Sequence, residues 1–210
     1  MKIAIIGTTG MAGQAIYLEA VKRGHDVTAI VRDGKKAQTI LGASTQLLTK
    51  DIFDLTSDDL ANFDVVVNAF ANHQASYLNL DALTHLLHLF RQSAKRIIFI
   101  LGAASLQLNP NEILFDRLKQ VPDNAAWIDE PRYGVLELDI LRATPDVNWT
   151  GVSPQQDFIP GPASAYKTSD DSIIFGRDGK SHVTAGNMAL GILDEIETPQ
   201  HLRRRFTISD

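Results

Sequence analysis

The stretch IAIIGTTGMAG, residues 3–13, decides the fold. Ile3–Ile6 is a short, β-branched apolar run of the kind buried on both faces of a sheet. Gly7–Gly10 reads as a turn. Met11–Arg23 then carries Ala12, Ala15, Ile16 and Leu18 to Val21 at helical spacing, until Gly24 stands where a C′ glycine ends a helix. A turn this tight needs residues free of Cβ strain, and a diphosphate needs close approach to backbone. The opening helix supplies unpaired N–H groups and the positive end of its dipole. Gly7, Thr9, Gly10, Met11, Ala12 and Gly13 are therefore expected to hold a dinucleotide, with Gly13 letting the helix pack closely on the sheet. No Gly-Lys-Ser or Gly-Lys-Thr follows, which separates this turn from the P-loop of nucleotide hydrolases.

Outward from this turn the same alternation repeats. Val27–Val31 is a second buried strand. Gln46–Thr49, Val65–Ala69, Ile97–Leu101 and Trp149–Val152 read as further strands. Between them, Ser57 with Asp58, Asp59 and Leu60 suggests a capped short helix, and Leu80, Leu83, Leu87 and Phe90 mark one helix face. Asn109 and Pro110 read as N-cap and N1 of a helix to Lys119, and Pro131 as N1 of another to Arg142. Ile173–Phe175, the GRDG turn and Ser181–Thr184 suggest a small hairpin. Met188, Ile192, Leu193 and Ile196 mark a last helix, and Phe206–Ser209 a closing strand. Repeated strand–helix order with apolar strands predicts an α/β fold: a Rossmann-type doubly wound parallel sheet with a small elaborated C-terminal region. Residues 1–210 read as one NAD(P)-binding domain, with residues 154–185 a substrate-side loop and hairpin.

Composition narrows the function classes. Hydrophobic residues make up 44% and charged residues 21% of the chain, as expected of a globular protein. A net charge of −5 argues against nucleic acid as a partner. The absence of cysteine removes thiol nucleophiles, thiolate metal sites and disulfides. The apolar run at the N-terminus stops at Gly7, too early for a signal peptide, and no later run has the length of a membrane span. The expected location is cytoplasmic and the expected state a monomer or small homo-oligomer. His85 and His88 are three apart without an evident third ligand, so no metal site is expected. Arg203, Arg204 and Arg205 read as a solvated edge.

The end of the second strand, AIVRD, bears on cofactor choice. An acid there binds the adenosine ribose hydroxyls of NAD, whereas an arginine cradles the 2′-phosphate of NADP. Arg32 with Lys35 and Lys36 favours NADP(H). Asp33, about twenty residues past the last glycine, has the NAD-like spacing, and Lys35 and Lys36 also suit a solvated loop. In DIFD, Asp51 suits the adenine amino group with Ile52 and Phe53 packing near the base, and equally suits a capping acid in a turn.

GTTGMAG, AIVRD, DIFD, VVVNAFA, RIIFILGAAS and WTGVSP together resemble the atypical branch of the short-chain dehydrogenase/reductase superfamily over nearly the whole chain. SPQQDFIPGPASAY and GRDGKSHVTAGNMALGILDEIE are similar to the flavin reductase and biliverdin-IX-beta reductase group and to bacterial NADH-flavin reductases. The resemblance implies that Asn68, Ala69 and Phe70 lie near the cofactor, that Gly102–Ser105 lie near the nicotinamide, and that Ser153 and Pro154 end the strand before the substrate-side loop. Phe70, Tyr133, Phe158 and Tyr166 are candidate acceptor walls. Ser105 and Tyr133 match the family's catalytic Ser and Tyr.

Ordinary members pair that Tyr with a Lys four residues on, which lowers the Tyr pKa for proton transfer. Here Glu137 stands in that place, and a carboxylate works in the wrong direction. Alcohol oxidation is therefore not expected. Hydride transfer to a flavin or quinone needs stacking against the nicotinamide, and solvent can supply the proton. The expected partner is thus a small planar acceptor, and Glu137 is expected to have no part in its reduction. A competing expectation is an NADP(H)-binding redox sensor without turnover.

Overall fold

A computed structural model describes residues 1–210. In chain order the strands are β1 (Lys2–Ile6), β2 (Asp26–Val31), β3 (Gln46–Thr49), β4 (Val65–Asn68), β5 (Arg96–Ile100), β6 (Gln107–Asn109), β7 (Glu112–Ile113), β8 (Asn148–Ser153), β9 (Asp157–Ile159), β10 (Lys167–Ser169), β11 (His182–Thr184) and β12 (Arg204–Ser209). The helices are α1 (Met11–Lys22), α2 (Gly34–Leu41), α3 (Ser57–Leu60), α4 (Tyr77–Phe90), α5 (Leu114–Leu118), α6 (Asp129–Arg142) and α7 (Ala185–Glu197).

Eight strands form one sheet in the order β10-β12-β8-β5-β4-β1-β2-β3. All neighbours are parallel except β10 and β12. This is the doubly wound, Rossmann-type sheet that the strand–helix alternation predicts. From β1 the chain builds outward through β2 and β3, then returns to β4 on the other side of β1. The crevice beyond the carboxyl ends of β1 and β4 is therefore the topological switch point, where such sheets bind ligands.

Strand alternation sends successive residues to opposite faces. Ile3, Ile5, Val65 and Val67 join Ile16, Met188 and Ile192 beneath α1 and α7. Ala4, Ile6, Val66 and Phe99 join Leu83, Leu86, Leu138 and Trp149 beneath α4 and α6. Two apolar layers of this kind explain why the strands read as continuous apolar runs. No helix is long and apolar enough to cross a membrane.

Several local expectations need correction. Lys35 and Lys36 lie in α2, not in a loop, because the Asp33 carboxylate caps that helix by accepting from the Lys36 N–H at 3.0 Å. Thr56, not Ser57, caps α3. Asn109 and Pro110 sit at the turn between β6 and β7, where Asn109 Oδ1 accepts from the Asn111 N–H at 3.0 Å, and the helix begins only at Leu114. Pro131 is the third residue of α6, still within the first turn, where a missing N–H costs nothing.

The GRDG turn does form, with the Gly176 N–H donating to Lys180 O at 2.7 Å, but its arms do not pair as a hairpin. β11 pairs in parallel with β9 instead. The buried Gln155 side chain holds the arms apart. Its Oε1 accepts from the Ile174 N–H at 2.9 Å and from Ser181 Oγ at 2.7 Å. The arginine run is not wholly solvated either. Arg205 is 4% exposed, and it donates to Asp171 Oδ1 and to the Ser105 and Ser153 hydroxyls.

Candidate active site

The site begins where β1 ends. Gly7 has φ +81°, a left-handed conformation open to glycine. A Cβ on Gly7 would stand 2.6 Å from Ala69 O at the end of β4, and one on Gly13 would stand 2.3 Å from Gly7 O. The turn is thus clamped at Gly7 and Gly13, where a side chain would strike backbone. Gly10 caps α1 without a side-chain hydrogen bond, and the helix ladder begins with Gln14 N–H donating to Gly10 O at 2.9 Å. The N–H groups of Met11, Ala12 and Gly13 therefore have no partner within the helix, and the positive end of its dipole lies among them.

A cleft of about 1140 Å³ runs across the switch point. Gly7, Thr9, Gly10, Met11, Ala12, Arg32, Ile52, Ala69, Phe70, Gly102, Pro154 and Phe158 all line it. Residues far apart in sequence are thus brought together by the strand ends of β1, β2, β4, β5 and β8.

Other expected site residues lie off the cleft wall, all but Tyr133 with a structural occupation. Gly13 packs against the Gly7 backbone. Asp51 accepts from the Phe53 N–H at 3.0 Å and approaches Arg32 Nε at 3.9 Å. Asn68 accepts from the Phe70 N–H at 3.2 Å, shaping the loop after β4. Ser105 and Ser153 are buried, their hydroxyls 3.3 Å and 3.1 Å from Arg205 Nη1. Tyr166 donates to the Asp194 carboxylate against α7, and burial together with that carboxylate pushes its phenol up to about 12. Tyr133 is half-buried on α6 and does not line the cleft. The Ser-Tyr pair suggested by the family pattern is therefore not assembled at the cleft.

The cleft also contains Lys50, Asn79, Glu130, Gly134 and Gln156, which sequence reasoning missed, together with Glu137 and with His73, the one histidine expected near the cofactor. Lys50 lines its adenosine end beside Arg32 and Lys36, with Lys50 Nζ bound to Asp59 at 2.7 Å. At the opposite end stand His73, Asn79, Glu130, Gly134, Glu137 and Gln156. His73 Nδ1 lies 2.6 Å from Glu130 Oε1. Glu130, Gly134 and Glu137 follow i, i+4, i+7 spacing, a signal present in the sequence once α6 is placed. Burial, and secondarily the Glu130 charge, raise the Glu137 carboxyl to about 7.

These residues fit a nicotinamide dinucleotide. The glycine turn suits a diphosphate, and the length of the cleft on either side of it suits the two nucleoside halves. The cofactor supplies a hydride when bound. What the chain supplies is the cradle, the charge and the walls.

A family profile described as NAD(P)H-binding matches residues 7–199. The uncharacterised protein YwnB of Bacillus subtilis strain 168 is 34% identical over 212 aligned residues, covering 99% of this chain and 98% of YwnB. A crystal structure of a Lactobacillus casei protein has a TM-score of 0.93 at 42% identity, over 100% of this chain and 99% of that one. A Streptococcus pneumoniae TIGR4 protein, SP1627, named a candidate NADH-flavin reductase, has a TM-score of 0.88 at 34% identity, over 100% and 99% of the two chains. An anaerobilin reductase of Escherichia coli O157:H7, ChuY, shares the fold, with a TM-score of 0.70 at 16% identity over 99% of this chain and 96% of that one. With its glycine turn, switch-point cleft and parallel sheet, the chain belongs to the NAD(P)H-binding family and is a Rossmann protein of the atypical short-chain dehydrogenase/reductase type.

Proposed function

We propose that this protein is an oxidoreductase that binds NADPH and reduces a flavin, quinone or similar planar acceptor. The observation that carries the reading is the continuity of the cleft. It extends from the glycine turn and Phe70 past Gly102 to Pro154 and Phe158 after β8. That leaves apolar space beyond the strand ends for a flat ring system to stack against the nicotinamide. The name of the pneumococcal relative points the same way.

NADPH is favoured over NADH by charge. The Arg32 side chain is 75% exposed at the cleft, and its one acidic neighbour, Asp51, is 3.9 Å away. Asp33, the acid at the NAD-reading position, spends one oxygen on capping α2. A guanidinium with free donors matches a 2′-phosphate better than a partly occupied carboxylate matches two hydroxyls.

The test is to mix the protein with NADPH and FMN, riboflavin or menadione and follow absorbance of the reduced nicotinamide. Oxidation above the spontaneous rate with at least one acceptor supports the reading. NADPH binding without oxidation by any of them would instead favour the sensor role.

A further inference from the structure

Glu137 stands where related reductases carry lysine, and on sequence grounds it has no task in reducing a planar acceptor. The structure places it inside the cleft. α6 turns Glu130, Gly134 and Glu137 toward the cavity, and Gly134 sits where this helix passes the end of β5. A Cβ on Gly134 would lie 3.9 Å from Gly102 Cα. The missing side chain leaves this part of the wall open between Glu137 and the strand ends.

The surroundings of Glu137 favour an acid that keeps its proton. No cation and no hydrogen bond stabilises its carboxylate. On α6, Glu130 adds like charge, while Asp129 and Arg132 pair with each other at 3.0 Å. The loop after β4 brings His73, whose Nδ1 is occupied by Glu130. α4 offers the neutral Asn79, the end of β5 offers Gly102, and the segment after β8 offers Gln156 and Phe158. The remaining charged lining groups, Arg32, Asp33, Lys36 and Lys50, gather at the adenosine end.

We propose that Glu137 is a catalytic acid, delivering a proton to the acceptor as the hydride reaches it. This rests on the reductase reading above. The step balances. The acceptor gains a hydride, two electrons and one hydrogen nucleus, from NADPH, which becomes NADP⁺. It gains its second hydrogen as H⁺ from the Glu137 O–H bond, which breaks to leave a carboxylate. That carboxylate recovers a proton from solvent, with the more exposed Glu130–His73 pair lining the same cleft. A neutral acid beside a ring that is becoming an anion also avoids the repulsion an ionised Glu137 would impose. The direction in pH follows: reduction slows as pH rises through neutrality, because the donor is lost.

Two readouts test this, one of them independent of turnover. In protein labelled with ¹³C at the glutamate side-chain carboxyl, without cofactor, one resonance is expected to titrate near neutral pH and to be missing from Glu137→Gln. In NADPH oxidation with menadione, Glu137→Gln is expected to lose roughly 100-fold in kcat at pH 6 with NADPH affinity retained, and to lose the fall in rate at high pH. Glu137→Asp, which keeps an ionisable group, is expected to retain that fall at a reduced rate. Wild-type turnover matched by Glu137→Gln in rate and pH profile would overturn the proposal and leave the reductase reading standing. Absence of the neutral-pH resonance would also overturn it. A wild-type protein that oxidises no NADPH with any acceptor would end both.

Discussion

Gly13 lies so close to Gly7 that a Cβ on Gly13 would stand 2.3 Å from the Gly7 carbonyl oxygen. Gly10 is different, since a Cβ there would meet the same oxygen at 3.4 Å, an ordinary contact. The two glycines should therefore fail in different ways. Gly13→Ala is expected to cost about 1–3 kcal/mol of stability through overpacking, read as a lowered Tm. Gly10→Ala is expected to keep a near-wild-type Tm and lose NADPH affinity, because its methyl group enters the diphosphate cradle. Equal Tm losses in both variants would contradict this division.

Arg32 and Asp33 make opposite claims on cofactor choice, and Asp33 is already engaged as the cap of α2. Arg32→Ala is expected to weaken NADPH binding roughly 10-fold or more, as the loss of a charge-assisted contact implies. NADH binding should change little. Titration of both nucleotides against both proteins measures this, and a parallel loss for NADH would show that Arg32 does not read the phosphate.

Arg205 is a buried cation supported by Asp171, Ser105 and Ser153. Arg205→Ala is expected to destabilise the fold by about 1–3 kcal/mol, since it leaves two buried hydroxyls short of a donor while Asp171 keeps Arg142 at 2.9 Å. Ser105→Ala should cost only about 1 kcal/mol and leave NADPH affinity unchanged. Chemical denaturation measures the first two. An affinity loss in Ser105→Ala would return that serine to the site.

Glu137 links the site to stability. Its carboxyl is raised from 4.5 to about 7, so the folded chain keeps a proton that the unfolded chain has released. Stability from this group is present below the unfolded value and falls as pH rises from about 4.5 to about 7. Glu137→Gln has no such loss. The variant is expected to match wild type at low pH and to exceed it by up to roughly 3 kcal/mol at pH 8. Superimposable stability–pH curves for the two proteins would contradict the burial of this charge.

Much of this was legible in the sequence, and the reason is local. The turn at Gly7–Gly13, the apolar strands and the terminal helix are encoded by neighbours a few residues apart, so β1, α1 and β2 lie within a residue of their expected places and every expected marker of the last helix falls in α7. What escaped depends on distant partners. Ile173–Phe175 and Ser181–Thr184 look like a hairpin until Gln155 is known to stand between them. Arg205 looks like surface charge until Asp171 and the two serines enclose it. Glu137 looks like a lost lysine because the comparison was made with a motif. Its chemistry comes from burial, and burial depends on how α6 crosses the end of β5.

The central claim is that the cleft holds NADPH so that its hydride passes to a planar acceptor. The most direct measurement is the rate of acceptor-dependent oxidation of NADPH carrying deuterium at both C4 positions, compared with unlabelled NADPH. Oxidation is expected to saturate with acceptor and to be slower with the deuterated cofactor. Tight NADPH binding with no acceptor-dependent oxidation of either form would contradict it.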